Sequence, residues 1–362
     1  MKLFLCNDAL NSEHRVFLTP QDTERLSQNG IEVYSLINIG KMAGFLDAEY
    51  TTVHFINNSL TNIKYDIILT FTYRDTVPFL HMLSSDGIII CYMNDLQLTP
   101  KDISPSSNIL CLEKIPRTTV MQPMDTLSSQ ATLAGYRAAC IAMYLCYKCV
   151  YMLFTAAGVI YPAQALIIGA GVAGLQAAIA LKRMGVVVKV FDVREAVEEQ
   201  IKSIGCDYIT INNQSTDPVA RIEKSDGYAR QMSSVELANQ QHFLAPYVTS
   251  SHIIITTAQL PQQPAPVLIT KETVQKMIAG SVIVDLAIMS GGNCEMSVIN
   301  QTITTENNIH IVGNAKILND IARDASCCLS ANIYNLLMAL IKDKKIDKES
   351  VLYSNMLYNV VH

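Results

Sequence analysis

Three glycines near the middle of the chain have a spacing that suits a turn between a strand and a helix. Gly169, Gly171 and Gly174 form the pattern G-x-G-x-x-G between the apolar segments Ala165 to Ile168 and Leu175 to Met184. In such a turn the first glycine permits the sharp bend, the second lets the backbone approach a pyrophosphate, and the third lets the helix pack on the strand. The helix N-terminus adds unpaired N–H groups and a positive dipole, so the pattern predicts a dinucleotide site.

An acidic residue after the next apolar segment indicates which dinucleotide is bound. Asp192 lies 18 residues after Gly174 and directly follows the segment Val186 to Phe191. This is close to the separation of about 20 residues expected for the group that contacts the adenosine ribose. A carboxylate accepts hydrogen bonds from the ribose hydroxyls and repels a 2′-phosphate, so Asp192 favours NAD(H) over NADP(H). Arg194 weakens this discrimination because its positive charge attracts phosphate.

Apolar segments that alternate with helix-forming segments predict the fold. We expect an α/β fold with two Rossmann-like domains, parallel sheets and a cleft between them. The first domain comprises residues 1–130 and 314–362, and the second, which binds NAD(H), comprises residues 131–313. The segments expected to form strands are Lys2 to Cys6, Ile31 to Leu36, Asp66 to Phe71, Gly87 to Tyr92, Asn108 to Glu113, Ala165 to Ile168, Val186 to Phe191, Ser251 to Thr256, Ser281 to Leu286 and Ile309 to Val312.

The longest apolar stretch, Ala138 to Tyr161, raises the question of a membrane span. Lys148 lies near its middle, where a charge costs on the order of 3 kcal/mol for insertion into a bilayer. We therefore expect no membrane span here. The stretch is expected to belong to a buried helix from Gln130 to about Ala157, with Ser128 or Ser129 as its N-cap.

The composition excludes several classes of protein. Hydrophobic residues make up 50% of the 362 residues and charged residues 16%, so the chain is not intrinsically disordered. A net charge of −5 without a cluster of basic residues argues against nucleic-acid binding. The pair Cys146-Tyr-Lys-Cys149 has no second pair of ligands, and no two histidines lie three or four residues apart, so no metal site is expected.

Three further segments carry a family resemblance. They run from Pro116 to Arg137, from Gly227 to Met232 and from Thr256 to Glu295. Together with the glycine turn, in this order, they resemble the NAD(H)-binding domain I, or alpha subunit, of the proton-translocating nicotinamide nucleotide transhydrogenases. That domain shares its ancestry and fold with alanine dehydrogenase. The resemblance is dense from about Arg117 to Asn293 and weaker elsewhere.

The resemblance implies an oxidoreductase and translocase that is Re/Si-specific. NAD(H) on this chain would exchange a hydride directly with NADP(H) on a partner domain, and membrane subunits would couple the exchange to proton translocation. The chain itself would be a homodimer, cytoplasmic and peripheral on the inner face of the cytoplasmic membrane. Hydride transfer between two nicotinamide rings requires no protein acid or base, but it requires ring carbons held about 3–3.5 Å apart with water excluded.

The resemblance also implies the residues of the site. Arg117, Gln122 and Asp125 would be the catalytic residues, because their side chains can pair with the C=O and NH2 of the nicotinamide carboxamide. Ser128 would join them at the nicotinamide end, while Gly227 and Tyr228 would lie on a mobile loop that closes over the nucleotide. The full set of expected cofactor-binding residues is Arg117, Gln122, Asp125, Ser128, Gly169, Gly171, Val172, Ala173, Gly174, Asp192, Val193, Arg194, Gly227, Tyr228, Gln240, Ala258 and Gln259.

Two alternatives remain open at this point. An alanine dehydrogenase would need a histidine where the chain reads Tyr92-Met93-Asn94, and a lysine where none occurs between Lys64 and Lys101. A non-catalytic NAD(H)-binding paralogue is favoured by departures from the family pattern: the nicotinamide segment contains Val120 and Pro123 in place of the usual arginine and serine, and Lys316 ends a second altered segment.

Overall fold

The computed structural model of the protein describes residues 1–6, 12–56, 63–93, 108–211, 233–259 and 263–358. The chain divides into two compact units, Met1–Gln130 with Leu318–His362 (unit 1) and Ala131–Ile317 (unit 2). Within the six described ranges, no helix is both long and apolar enough to cross a bilayer.

The two units are built from alternating strands and helices. The strands are β1 (Lys2–Leu5), β2 (Glu32–Leu36), β3 (Val53–Ile56), β4 (Tyr65–Thr72), β5 (Leu83–Tyr92), β6 (Asn108–Cys111), β7 (Leu153–Thr155), β8 (Gly158–Ile160), β9 (Gln164–Ile168), β10 (Val187–Phe191), β11 (Asp207–Ile209), β12 (Ile253–Thr256), β13 (Val282–Asp285), β14 (Thr302–Thr304), β15 (His310–Val312), β16 (Ile341–Lys342) and β17 (Lys345–Ile346). The α-helices are α1 (Pro20–Gln28), α2 (Tyr73–Thr76), α3 (Thr126–Leu145), α4 (Val172–Arg183), α5 (Glu198–Ser203), α6 (Ser234–Ser250), α7 (Lys271–Gln275), α8 (Ala322–Leu340) and α9 (Val351–Met356).

Unit 1 is organised around a six-stranded parallel sheet. Its strand order is β3-β2-β1-β4-β5-β6, so successive strands are added on one side of β1 up to β3 and on its other side from β4 onward. Helix α8 packs on one face, because its apolar side chains at Leu329, Ile333, Leu336 and Leu340 share a core with Leu3 and other strand residues. Helix α8, close to the end of the chain, therefore packs in the same unit as the first strand.

Unit 2 contains a seven-stranded sheet in the order β11-β10-β9-β12-β13-β15-β14, parallel except for β14 at the edge. The central strand β9 is buried on both faces, since Leu166, Ile167 and Ile168 are fully buried, and this explains its uninterrupted apolar sequence. The strand order reverses between β9 and β12. In open α/β sheets this switch point is where ligands bind. The predicted α/β fold with Rossmann-like parallel sheets is confirmed in both units.

The expected long helix from Gln130 to about Ala157 is wrong at both ends. Helix α3 begins at Thr126 and ends at Leu145, and strands β7 and β8 form an antiparallel hairpin where the helix was expected to continue. Gly158, one residue beyond the expected end of the helix, belongs to the hairpin turn and has a φ of +128°, which glycine adopts readily.

Candidate functional site

The glycine turn joins β9 to α4 and has a distinct conformation at each glycine. Gly169 adopts a φ of +99°, and its N–H donates to the carbonyl of Phe191 at 2.8 Å. A Cβ on Gly174 would overlap the carbonyl oxygen of Gly169, so a glycine is required there by packing. Gly171 differs from both: its φ is −76°, and a Cβ there would meet no atom of the described residues within 4 Å.

The first turn of α4 is suited to a phosphate. Gly171 is the N-cap residue, and no side chain of the described residues caps the helix. The N–H groups of Val172, Ala173 and Gly174 therefore lie at a helix N-terminus that carries the positive end of the helix dipole. The open space beside Gly171 provides room for a ligand next to these groups, which fits the expected pyrophosphate.

Asp192 is fixed against the glycine turn. The residue is only 5% exposed and accepts a hydrogen bond from the N–H of Ala170 at 2.7 Å. Its carboxylate also accepts from the backbone N–H, Nε and a terminal guanidinium nitrogen of Arg194, each at 2.9 Å. The sequence indicated a carboxylate for the ribose. The structure adds that the same carboxylate holds Ala170 within the turn and keeps a guanidinium beside it.

Tyr208 completes the surroundings of this pair. Its hydroxyl donates to the carbonyls of Asp192 at 3.1 Å and Arg194 at 3.3 Å, and burial raises the pKa of the phenol. The phenol therefore stays protonated near neutral pH, as its donating role requires. Val193 lies between the paired residues and packs against the apolar core of unit 2, so its side chain faces the protein interior.

The segment after β12 lies across the switch point from the glycine turn. Thr257, Ala258 and Gln259 follow this strand directly, and β12 pairs with β9 in parallel register. The Gln259 side chain is exposed, and its Nε2 donates to the carbonyl of Leu286 at 3.0 Å. The geometry therefore brings two of the sequence-predicted residues, Ala258 and Gln259, to the strand edge that carries the glycine turn.

Gln240 has an unusual environment for an amide. It is 2% exposed on α6, one turn before Leu244, which packs with Ile168 and Phe191. Among the residues that the structure describes, its Oε1 has no hydrogen-bond partner. A buried amide oxygen without a donor costs about 1–3 kcal/mol, so this atom suits a donor supplied by a ligand.

The predicted nicotinamide segment belongs to unit 1. Arg117 and Gln122 are exposed, and Gln122 lies on a 3-10 turn, Thr119–Met124. Asp125 precedes α3 and accepts from the N–H of Ser128 at 3.0 Å and from its hydroxyl at 2.6 Å. Asp125 is therefore the residue that caps α3, and the expectation of a cap at Ser128 or Ser129 is wrong.

Helix α8 anchors the same segment. Asn332 donates to the carbonyl of Pro123 at 2.7 Å, and Asn335 donates to it at 3.3 Å. The Asn332 side chain also accepts from the hydroxyl of Ser129 at 2.6 Å. These bonds fix the backbone at Pro123 and leave Gln122 directed to solvent. Gly227 and Tyr228, which were expected on a loop over the nucleotide, lie outside the described residues.

A buried polar network behind the β12 segment was missed by the sequence analysis. Asp285 and Asn293 are both completely buried, and the N–H of Asn293 donates to Asp285 at 2.8 Å. Both residues lie in the segment Thr256 to Glu295 that carries the family resemblance, but the sequence analysis assigned neither of them a role. The other donors to the Asp285 carboxylate are the N–H groups of Ala287 and Cys294 and the hydroxyls of Thr256 and Ser297.

Known proteins resemble this chain along nearly its whole length. The alanine dehydrogenase/PNT N-terminal domain matches residues 6–134, and the alanine dehydrogenase/PNT C-terminal domain matches residues 138–360. An NAD(P) transhydrogenase subunit alpha protein of Rickettsia prowazekii is 33% identical over 99% of this chain and 94% of its own length. The corresponding protein of Rhodospirillum rubrum is 33% identical over 95% of this chain and 92% of its own length.

A solved structure agrees with these sequences. The transhydrogenase from Sinorhizobium meliloti superimposes with a TM-score of 0.82 at 28% identity, covering 98% of this chain and 97% of that one. An L-alanine dehydrogenase shares the fold, with a TM-score of 0.77 at 17% identity. The two domain matches, the sequence identity and the shared fold agree, and the chain belongs to the alanine dehydrogenase/PNT family, among its transhydrogenase alpha subunits.

Proposed function

We propose that this chain is the NAD(H)-binding subunit of a proton-translocating transhydrogenase, in which a hydride passes directly between NAD(H) on this chain and NADP(H) on a partner domain. The observation that carries the proposal is the open space at Gly171 beside the uncapped N-terminus of α4. Among the described residues no packing contact explains a missing side chain there, whereas an approaching pyrophosphate does. The buried carboxylate of Asp192 supports NAD(H) as the nucleotide.

The residues of unit 2 bind and orient the nucleotide. The N–H groups of Val172, Ala173 and Gly174 would bind the phosphates, while Asp192 and Arg194 would contact the ribose. The bound nicotinamide supplies the hydride chemistry. Gln240 offers an oxygen that has no hydrogen-bond partner among the described residues, and Ala258 and Gln259, which follow β12, would line the nucleotide site.

The residues proposed for the nicotinamide carboxamide lie in unit 1. Arg117 and Gln122 present exposed polar side chains that can pair with the carboxamide. Asp125 and Ser128, bonded to each other, act as a rigid pair at the start of α3. None of these residues needs to gain or lose a proton, because the reaction depends on holding the reacting carbons together and excluding water. Gly227 and Tyr228 complete the proposed site.

An acid–base reaction of the alanine dehydrogenase type has little support at the end of β5. The strand ends with Tyr92, and burial raises the pKa of this phenol to about 12. Such a group carries no proton to or from a substrate near pH 7. Asn94 lies outside the described residues.

The proposed partners are an NADP(H)-binding domain, membrane subunits that couple hydride transfer to proton translocation, and a second copy of this chain. We place the chain in the cytoplasm, on the inner face of the membrane. The β7–β8 hairpin is the surface that we assign to the homodimer, because five exposed aromatic side chains on the hairpin and its flanking segments are unusual for a monomer. These rings are Tyr144, Tyr147, Tyr151, Phe154 and Tyr161.

Hydride transfer tests the proposal directly. The purified chain, mixed with an NADP(H)-binding domain from the same family, should catalyse reduction of an NAD analogue by NADPH. Gln122→Asn should slow transfer by about ten- to a hundredfold, because a ring displaced by about 1 Å loses alignment. Its NADH dissociation constant should change little. Absence of turnover at micromolar protein would favour a non-catalytic paralogue, and equal losses of rate and affinity would show that Gln122 only binds.

Asp192→Ala should weaken NADH binding by about 1–2 kcal/mol, or roughly 5- to 30-fold. The variant loses the acceptor for the ribose hydroxyls and releases Ala170 and Arg194 from their hydrogen bonds. The freed Arg194 should also improve NADPH binding relative to NADH. Calorimetric titration with both nucleotides measures the two changes. Asp207→Ala, an exposed carboxylate on β11, serves as the control, and an unchanged NADH affinity in Asp192→Ala would contradict the assigned role.

A further inference from the structure

Thr257 lies against the glycine turn although 88 residues separate it from Gly169. Its hydroxyl donates to the carbonyl oxygen of Gly169 at 2.9 Å and lies 3.3 Å from the carbonyl oxygen of Ile168. Its backbone N–H donates to the same Ile168 carbonyl at 2.8 Å. The residue after β12 is therefore joined to the turn after β9 by both its main chain and its side chain.

The Thr257 hydroxyl also occupies the space that two glycines leave open. A Cβ on Gly169 would lie 2.6 Å from this hydroxyl, and a Cβ on Gly174 would lie 3.1 Å from it. The first and third glycines of the motif thus pack around one hydroxyl group, in addition to allowing the turn and the helix contact. Thr257 is therefore part of the packing that holds the glycine turn.

Thr257 is itself fixed by its neighbours on both sides. The hydroxyl of Thr256 donates to Asp285 at 2.9 Å. The N–H and the carbonyl of Ala258 are both bonded to the side-chain amide of Asn293, at 3.0 Å and 2.8 Å. Since Asp285 and Asn293 are completely buried and bonded to each other, the backbone at Thr257 has little freedom to relax.

We propose that Thr257 is a positioning residue for the dinucleotide phosphates. Its hydroxyl fixes the Gly169 carbonyl, and this orients the peptide groups that continue through Gly171 into the first turn of α4. Thr257 acts through the turn and makes no contact with the nucleotide. The inference rests on the proposed NAD(H) site and adds to it a residue that the glycine motif does not contain.

A pair of variants separates the hydroxyl from the shape of the side chain. Thr257→Val keeps the shape but replaces the donor with a methyl group, whereas Thr257→Ser keeps the donor. The probe is ADP-ribose, which contains the pyrophosphate, titrated by calorimetry, with the ³¹P resonances of the bound ligand as a second readout. Thr257→Val should bind about tenfold more weakly and shift these resonances, while Thr257→Ser should stay within about twofold of the wild type.

Each outcome bears on one of the two hypotheses. If the wild-type chain binds neither ADP-ribose nor NADH, the proposed function fails. If the wild type binds and the valine variant binds equally well with unchanged resonances, only the role of Thr257 is overturned. Thr257→Ala, which removes the hydroxyl without adding a methyl group, replaces the valine variant if that protein does not fold, and it should also bind more weakly than Thr257→Ser.

Discussion

Replacing Gly171 with alanine should weaken NADH binding at least about tenfold without lowering the stability of the protein. The φ of −76° at this position is one that alanine adopts readily, and within the part of the chain that the structure describes its Cβ would meet no atom closer than 4 Å. Two small effects on stability oppose each other. Alanine restricts the unfolded chain, which stabilises by about 0.4–1 kcal/mol, but it is a poorer N-cap residue than glycine. The methyl group would occupy the space that we assign to the pyrophosphate.

Gly171→Ser provides a matched control for the first prediction. Serine is a good N-cap residue, so this variant should unfold at a higher temperature than Gly171→Ala. Its NADH affinity should nevertheless fall as far, because its side chain enters the same space. Calorimetric titration and thermal unfolding without nucleotide measure the two properties separately. If Gly171→Ala binds NADH as tightly as the wild type, the pyrophosphate does not lie on this turn.

The parallel sheets could be predicted from the sequence because several interior strands are buried on both faces. Such a strand reads as an unbroken apolar run, as β9 and β12 do, and the run itself gives the position of the strand. The same reasoning failed at Ala138 to Tyr161, where an apolar run continues but the structure changes from helix to hairpin. Most of the aromatic residues in this stretch lie after the end of α3 at Leu145 and so do not belong to a helix.

The tyrosines before the hairpin show why tertiary contacts decide this region. The ring of Tyr147 lies 2.6 Å from the position of a Cβ on Gly280, and that of Tyr151 lies 2.7 Å from the position of a Cβ on Gly185. Both glycines have positive φ values in turns that are distant in sequence. A local pattern carries no information about such partners, although Gly158 marks the hairpin turn.

The residues of the candidate site also fall into two groups: those that a local sequence pattern predicts, and those that depend on contacts distant in sequence. The glycine turn and Asp192 form a local pattern with a known physical purpose, so the sequence alone predicts their roles. Thr257 and Asn293 act through partners that are 88 and 35 residues away, and no spacing rule connects them. The capping of α3 by Asp125 follows a local rule, but the sequence analysis assigned Asp125 to the nicotinamide and placed the cap at Ser128 or Ser129.

Gly174→Ala should destabilise unit 2, in contrast to the change three residues earlier. The new Cβ would overlap the carbonyl oxygen of Gly169 and lie 3.1 Å from the hydroxyl of Thr257. Backbone atoms fixed by β9 cannot move aside as a flexible side chain can, so α4 must shift away from the sheet. Overpacking of this kind costs about 1–3 kcal/mol or more, which corresponds to a fall of roughly 2–12 °C in the midpoint of thermal unfolding for a unit of this size.

Thermal unfolding of Gly174→Ala without nucleotide measures this loss, and Gly171→Ala in the same assay is its control. The two substitutions add the same methyl group to the same turn, yet only one of the added groups meets the protein. Gly174→Ala should therefore lose stability as well as NADH affinity, whereas Gly171→Ala loses only affinity. Equal unfolding temperatures for the two variants would show that α4 does not approach β9 as closely as the Gly169 carbonyl contact requires. The difference between them separates the glycine that the fold needs from the glycine that the nucleotide needs.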